Sequence, residues 1–177
     1  MTPTDDTEDA DPLFPDLTPE VIRQRFNEDV AALGGQTALA VEMSKLGDRR
    51  PSTLRSIQRM AAGDTRVSGE MRVVVELLMR KRWRAEEAAS RAVWRLLPQG
   101  GLTTSAGGFT ITLSRQTKGR WRVLLVDPTT GVEQPTPNWQ PSVEEAKIRA
   151  MLCVEEALDH QRYNERLEAK LNGIPKT

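Results

Sequence analysis

The residues best suited to chemistry lie between Pro51 and Ala61, where Ser52, Thr53, Arg55, Ser56, Gln58 and Arg59 are interleaved with Leu54, Ile57 and Met60. At helical spacing this pattern gathers the apolar side chains on one face and leaves the polar ones on the other. Guanidinium forks and amides are the groups that bond base edges in a major groove, while hydroxyls and arginines hold phosphates. Arg49 and Arg50 before the segment and Arg66 after it add three candidate phosphate contacts. The same pattern also fits a core helix of a small bundle whose arginines are simply solvated.

Charge is distributed in a way the total conceals. The chain of 177 residues is formally neutral, yet residues 1–31 hold nine acidic and two basic side chains, whereas residues 45–84 hold eleven basic and four acidic. The basic excess falls on the segment that could meet phosphates, so a near-neutral pI does not argue against a nucleic-acid partner.

Catalytic and metal-binding constellations are missing from the pattern, and no enzymatic activity or cofactor is expected. With Cys153 and His160 as the single cysteine and histidine, neither a disulfide nor a Cys/His zinc site can form within one chain. Glu144-Glu145 and Glu155-Glu156 are adjacent on a helical pattern and diverge. No glycine-rich strand-to-helix loop matches a phosphate cradle or a dinucleotide fingerprint. Cys153 falls on an apolar face as a small core residue, and His160 reads as a surface group. No apolar run approaches the ~20 residues of a membrane span, and no leader pattern opens the chain, so a cytoplasmic protein is expected.

The elements that must position the polar face are legible on either side of it. Residues 1–17 are acidic, proline-bearing and poor in apolar groups, and read as a disordered tail, solvating or competing with DNA for the basic segment. Thr18-Pro19-Glu20 starts a helix whose apolar residues Val21, Ile22, Phe26, Val30 and Leu33 run to the stop at Gly34-Gly35. A short helix follows with Leu39 and Met43 at i, i+4. Pro51-Ser52-Thr53 opens the next, since proline in a first turn loses only an orphaned hydrogen bond. Gly63-Asp64 breaks it. Ser68 caps a further helix with Met71, Val74, Val75, Leu78 and Met79 as its stripe, and Ala85 to Leu97 reads as helical again, its alanine face suited to a dimer contact.

The order Leu39-Ala40, Met43, a turn, Pro51-Ser52-Thr53-Leu54, Ser56-Ile57, Arg59-Met60, and then Gly63-Asp64 to Gly69-Glu70 resembles the lambda-repressor-like (Cro-type) DNA-binding domains of phage and bacterial regulators, over residues 20–80 or so. The resemblance implies a helix-turn-helix whose second helix, residues 51–61, enters the major groove of double-stranded DNA, in a transcriptional regulator acting as a homodimer. One departure is the link from Ser44 to Arg50, longer than the about 3–4 residues usual for the turn. The alternative is a protein-protein adaptor that keeps the helix-turn-helix shape.

Pro98 to Gly108 is dominated by glycine, serine and threonine and reads as a linker between a helical domain, 18–97, and a second domain, 109–177. In the second domain Phe109, Ile111 and Leu113 alternate with polar residues, as do Trp121, Val123 and Leu125 with their neighbours, and a short third strand is expected near Val132 to Gln134. Ser142-Val143-Glu144-Glu145 is a capping-box start for a last helix that must cover the sheet and fray beyond Asn164. The expected fold is therefore α+β, an all-α helix-turn-helix bundle followed by a small ββ(β)α domain. That strand-helix order, with Gly119-x-Trp121-x-Val123 and Val143 to Ala146, resembles AP2-like DNA-binding domains, for which Arg115, Lys118, Arg120 and Arg122 would be the contacts. Self-association or a protein partner is the preferred reading of this domain.

Overall fold

The computed structural model describes residues 18–45, 53–127, 129–131, 133–135 and 139–172. It is mixed helix and sheet in two units, divided between Arg80 and Lys81.

The first unit holds α1 (Pro19–Ala32), α2 (Gln36–Lys45), α3 (Thr53–Ala62) and the first half of α4 (Gly69–Arg91). The Thr18 hydroxyl accepts from the Val21 N–H, with proline at the first helical position and Glu20 in the positive first turn. At the other end of α1, Gly34 and Gly35 donate to the carbonyls of Ala31 and Val30 at 3.0 and 2.8 Å, closing the last turn. Ser68 caps α4 by accepting from Met71 N–H at 3.2 Å. Phe26, Val30, Leu39, Met43, Ile57, Met60, Met71, Val75 and Met79 form one buried cluster, with Leu39 and Ile57 fully enclosed.

The second unit has its own core, which shares no residue with the first. Its sheet runs β1 (Arg95–Leu96), β2 (Leu102–Ala106), β3 (Phe109–Arg115), β4 (Trp121–Val126) and β5 (Glu133–Pro135), antiparallel throughout and in chain order. Phe109, Ile111, Leu113, Val123 and Leu125 fill one face of the sheet, and α5 (Val143–Asn172) covers them with Ala146, Ala150, Met151 and Val154. The residues of opposite parity on β3 and β4 form the other face, against which no described element of this unit packs. At the end of β4, Asp127 accepts from the backbone and hydroxyl of Thr129, which holds its carboxyl below the usual range.

Several expectations need correction. Residues 98–108 are not a linker. Leu97 and Gly101 close a turn through a 2.8 Å hydrogen bond, and Leu102–Ala106 pairs with β3 in the register Leu102↔Leu113 to Ala106↔Phe109. Gly107 and Gly108, at φ of 58° and 86°, make a two-residue hairpin turn that needs positive φ at both places. The unit boundary lies instead within α4. The sheet has five strands rather than three, the expected third being β5. The helix expected to reach Leu97 ends at Arg91, because Trp94 donates its indole N–H to Ala89 O at 3.0 Å and Thr104 donates to Val93 O at 2.9 Å, leaving Arg95 and Leu96 to pair with β2. Of the face suited to a dimer contact, Ala88, Ala89, Ala92, Val93 and Leu96, Ala89 is buried in the core of the second unit with Ala92 packed against it, whereas Ala88, Val93 and Leu96 are exposed.

The basic knot at residues 80–84 is helical, and carboxylates hold its cations. Arg80 pairs with Glu76, Lys81 with Glu156, Arg82 with Glu86 and Glu145, and Arg84 with Glu155. Beyond Asn164, α5 stays helical to Asn172, although every residue from Asp159 to Leu171 is exposed. Glutamate, arginine, leucine, alanine and lysine dominate that stretch, all strong helix formers, and no glycine or proline interrupts it.

Candidate functional site

The sequence of α3, TLRSIQRMAA, splits cleanly by burial. Ile57 and Met60 point into the core with Leu54 half-buried, whereas Arg55, Ser56, Gln58 and Arg59 are exposed. Two guanidinium groups, one amide and one hydroxyl therefore share the outer surface of a single helix. Thr53 does not join them. It is 7 % exposed, at the i−4 position from Ile57 on the inward face, and so is removed from the contact set. Arg66 is exposed, beyond the end of α3. Arg49, Arg50 and Ser52 lie outside the described residues.

The placement of α3 depends on α1. Helix ends leave their last carbonyls without partners, and two side chains of α1 supply them. Asn27 donates its amide to Ala61 O at 3.2 Å, and Arg23 donates to Ala62 O at 3.1 Å while bound to Glu20 at 2.6 Å. The next residue, Gly63, has φ of 89°, and a Cβ there would collide with the Arg23 guanidinium, so only glycine lets the arginine reach the helix end. Two residues on from Asn27, burial raises the Asp29 carboxyl above its usual range, with repulsion from Glu28 adding to it.

Arg23 and Asn27 were not legible as site residues, because their partners are backbone carbonyls 39 and 34 positions away. Their effect on α3 is measurable. Asn27→Ala is expected to lower the stability of the first unit by about 0.5–1 kcal/mol, the low end for a solvent-reachable hydrogen bond. Urea denaturation followed by helical circular dichroism checks this, with a parental midpoint counting against any role for the contact.

Among the described residues no group of three or more histidine, cysteine, aspartate or glutamate side chains could hold a metal ion, and no helix is long and apolar enough to cross a membrane. Comparison of the chain with protein-family models, curated proteins and solved structures gives no match.

Proposed function

We propose that the chain is a sequence-specific DNA-binding regulator whose helices α2 and α3 act as a helix-turn-helix, with α3 laid in the major groove. The observation that carries this reading is the joint exposure of Arg55, Ser56, Gln58 and Arg59 on one helix whose opposite side is fixed in a core. Arg55 or Arg59 can take the two acceptors of a guanine edge, and Gln58 can pair with adenine, each through two hydrogen bonds. Ser56 and Arg66, with Arg49, Arg50 and Ser52, supply phosphate contacts that set register. Acting as a homodimer, the protein would recognise half-sites about one helical turn apart, ~34 Å centre to centre.

The test starts from a duplex pool of random sequence. Sites enriched by the parent chain are titrated against Arg55→Ala. The substitution is expected to weaken the selected site by about 1–3 kcal/mol and to relax specificity at one base pair. Parental affinity and specificity in the variant would remove α3 from the groove. Failure to enrich any sequence, with no salt-dependent binding, would favour the adaptor reading, because an apolar protein interface does not release counterions.

A further inference from the structure

Helix α4 is apolar on two sides. Met71, Val75 and Met79 sit in the core of the first unit, with Val74 and Leu78 packed beside them. Val73 and Leu77, one turn apart on the opposite side, are each 58 % exposed. A helix with apolar residues all round is one that takes a neighbour on both sides. The charges on this outer face are ordered along it. Glu70 precedes the stripe, exposed and without an ion-pair partner among the described residues, whereas Arg80 and Lys81 follow it. Arg80 holds Glu76 through one nitrogen and Lys81 meets Glu156 only at 3.9 Å, so both cations have donors to spare.

A face that is acidic at one end and basic at the other is complementary to its own image turned end for end. With a two-fold axis midway between Val73 and Leu77, an antiparallel second copy sets each Val73 beside the Leu77 of the other helix. The same operation brings Glu70 level with Arg80 and Lys81 of the second copy. Glu70, Leu77 and Lys81 lie along one flank of the helix, two turns and then one turn apart, and in an antiparallel pair like flanks meet. Helix axes pack about 8–10 Å apart, within reach of glutamate and lysine side chains. The exposed stripe of α5, Tyr163, Leu167 and Leu171, lacks this order. Arg162, Arg166 and Lys170 run along one side of it from end to end, so an antiparallel image there sets cation against cation.

We infer that the outer face of α4, with Val73 and Leu77 at its centre and Glu70 opposite the cations of the other copy, is the surface through which two copies of this chain associate antiparallel. The inference deepens the α3 reading, which needs two copies on paired half-sites, and rests on it only for the role of the pair on DNA. Two aliphatic side chains from each copy make a small contact, so the pair is weak in free solution. A duplex carrying two half-sites completes it by raising the effective concentration of one copy at the other.

The experiment is sedimentation velocity of the full-length chain without DNA, from about 1 μM to 1 mM, the span of weak association. The parent is expected to pass from monomer to dimer over that range. V73S/L77S, changed only at exposed positions, should keep the parental helical circular dichroism and raise the Kd by at least about tenfold. Cross-linking in a Cys153→Ala background tests the geometry. E70C/K81C is expected to give a covalent dimer on mild oxidation, because the two sites are about 16 Å apart along their own helix, too far to bridge, yet side by side across the two-fold axis. E70C or K81C alone should give none, since each lies about 15–18 Å from its own image. A parent that stays monomeric throughout hands the stripe to a different occupant and overturns the inference. Undiminished association of V73S/L77S overturns it too, as does a covalent dimer that is absent from E70C/K81C or forms equally from either single cysteine. The two readings fail separately: R55A with parental affinity and specificity for its selected duplex removes α3 and leaves the association standing, whereas a monomeric parent leaves the base contacts of α3 untouched.

Discussion

Ile57→Ala is expected to lower the stability of the helical unit by about 2–5 kcal/mol, the range for emptying a fully buried aliphatic site. Ile57 is completely enclosed, in a cluster of nine buried residues drawn from α1, α2, α3 and α4. A small unit has a total stability of about 5–15 kcal/mol, so the loss takes a large share. Ile111→Ala, in the centre of β3 and equally enclosed, is expected to cost the second unit a similar amount. The two clusters have no residue in common, which predicts reciprocal effects. Amide hydrogen exchange should speed up in α1, α2 and α3 for the first variant and in β3, β4 and α5 for the second. If α3 binds DNA as proposed, that binding should fall in Ile57→Ala even though no contact candidate has been touched. Uniform acceleration across both units in either variant would show that they unfold as one.

The second large effect is expected at Arg82. Its guanidinium meets Glu145 through two bonds, at 2.6 and 3.3 Å, and Glu86 at 3.1 Å, with only 17 % of the side chain exposed. The hydrogen bonds to Glu145, more than any other contact, raise the arginine's pKa above its ordinary value despite the opposing effect of burial. Arg82→Ala leaves Glu145 half-buried without its main partner, and a loss of about 2–3 kcal/mol from the second unit is expected, below the figure for a fully buried pair. Arg82→Met/Glu145→Met should recover most of that loss, because two apolar side chains need no compensation. Chemical denaturation of the singles and the double gives the coupling directly. Additivity within about 0.5 kcal/mol would mean the pair does not act together.

Where local chemistry decides the backbone, the sequence was a sufficient guide. Thr18-Pro19 and Ser142 set helix starts by capping, Gly34-Gly35 set a stop, and the alternation of Phe109, Ile111 and Leu113 set a strand and its buried face. Where a distant partner decides, it was not. Leu102 to Ala106 looks like a linker because threonine and serine dominate it, and only pairing with β3 makes it a strand. Ala92 to Leu97 has helical periodicity, but the indole of Trp94 and the hydroxyl of Thr104 take the backbone out of the helix. The boundary between the units was hidden for a different reason. No glycine or proline occurs between Glu70 and Leu97, so local propensity carries α4 across Arg80 and Lys81 unmarked while its buried stripe changes from one core to another. At the candidate site the outward arginines and glutamine were legible from periodicity. The inward turn of Thr53 was not, because a threonine at the first position of a helix can face either way.

The outer strands of the sheet have a consequence for the protein in concentrated solution. β1 has two residues and β5 three, ending at Pro135, which has no N–H to donate, whereas the inner strands β2, β3 and β4 have five, seven and six. An exposed ladder of backbone donors and acceptors is a template on which further chains can add as strands, and short or proline-bearing borders deny it that length. The long, β-branched and apolar strands that would otherwise seed fibrils are thus flanked on both sides by fragments too short to propagate pairing. Loss of either border, by proteolysis or by substitutions that release β1 or β5, would convert a folded unit into a nucleus for polymerisation.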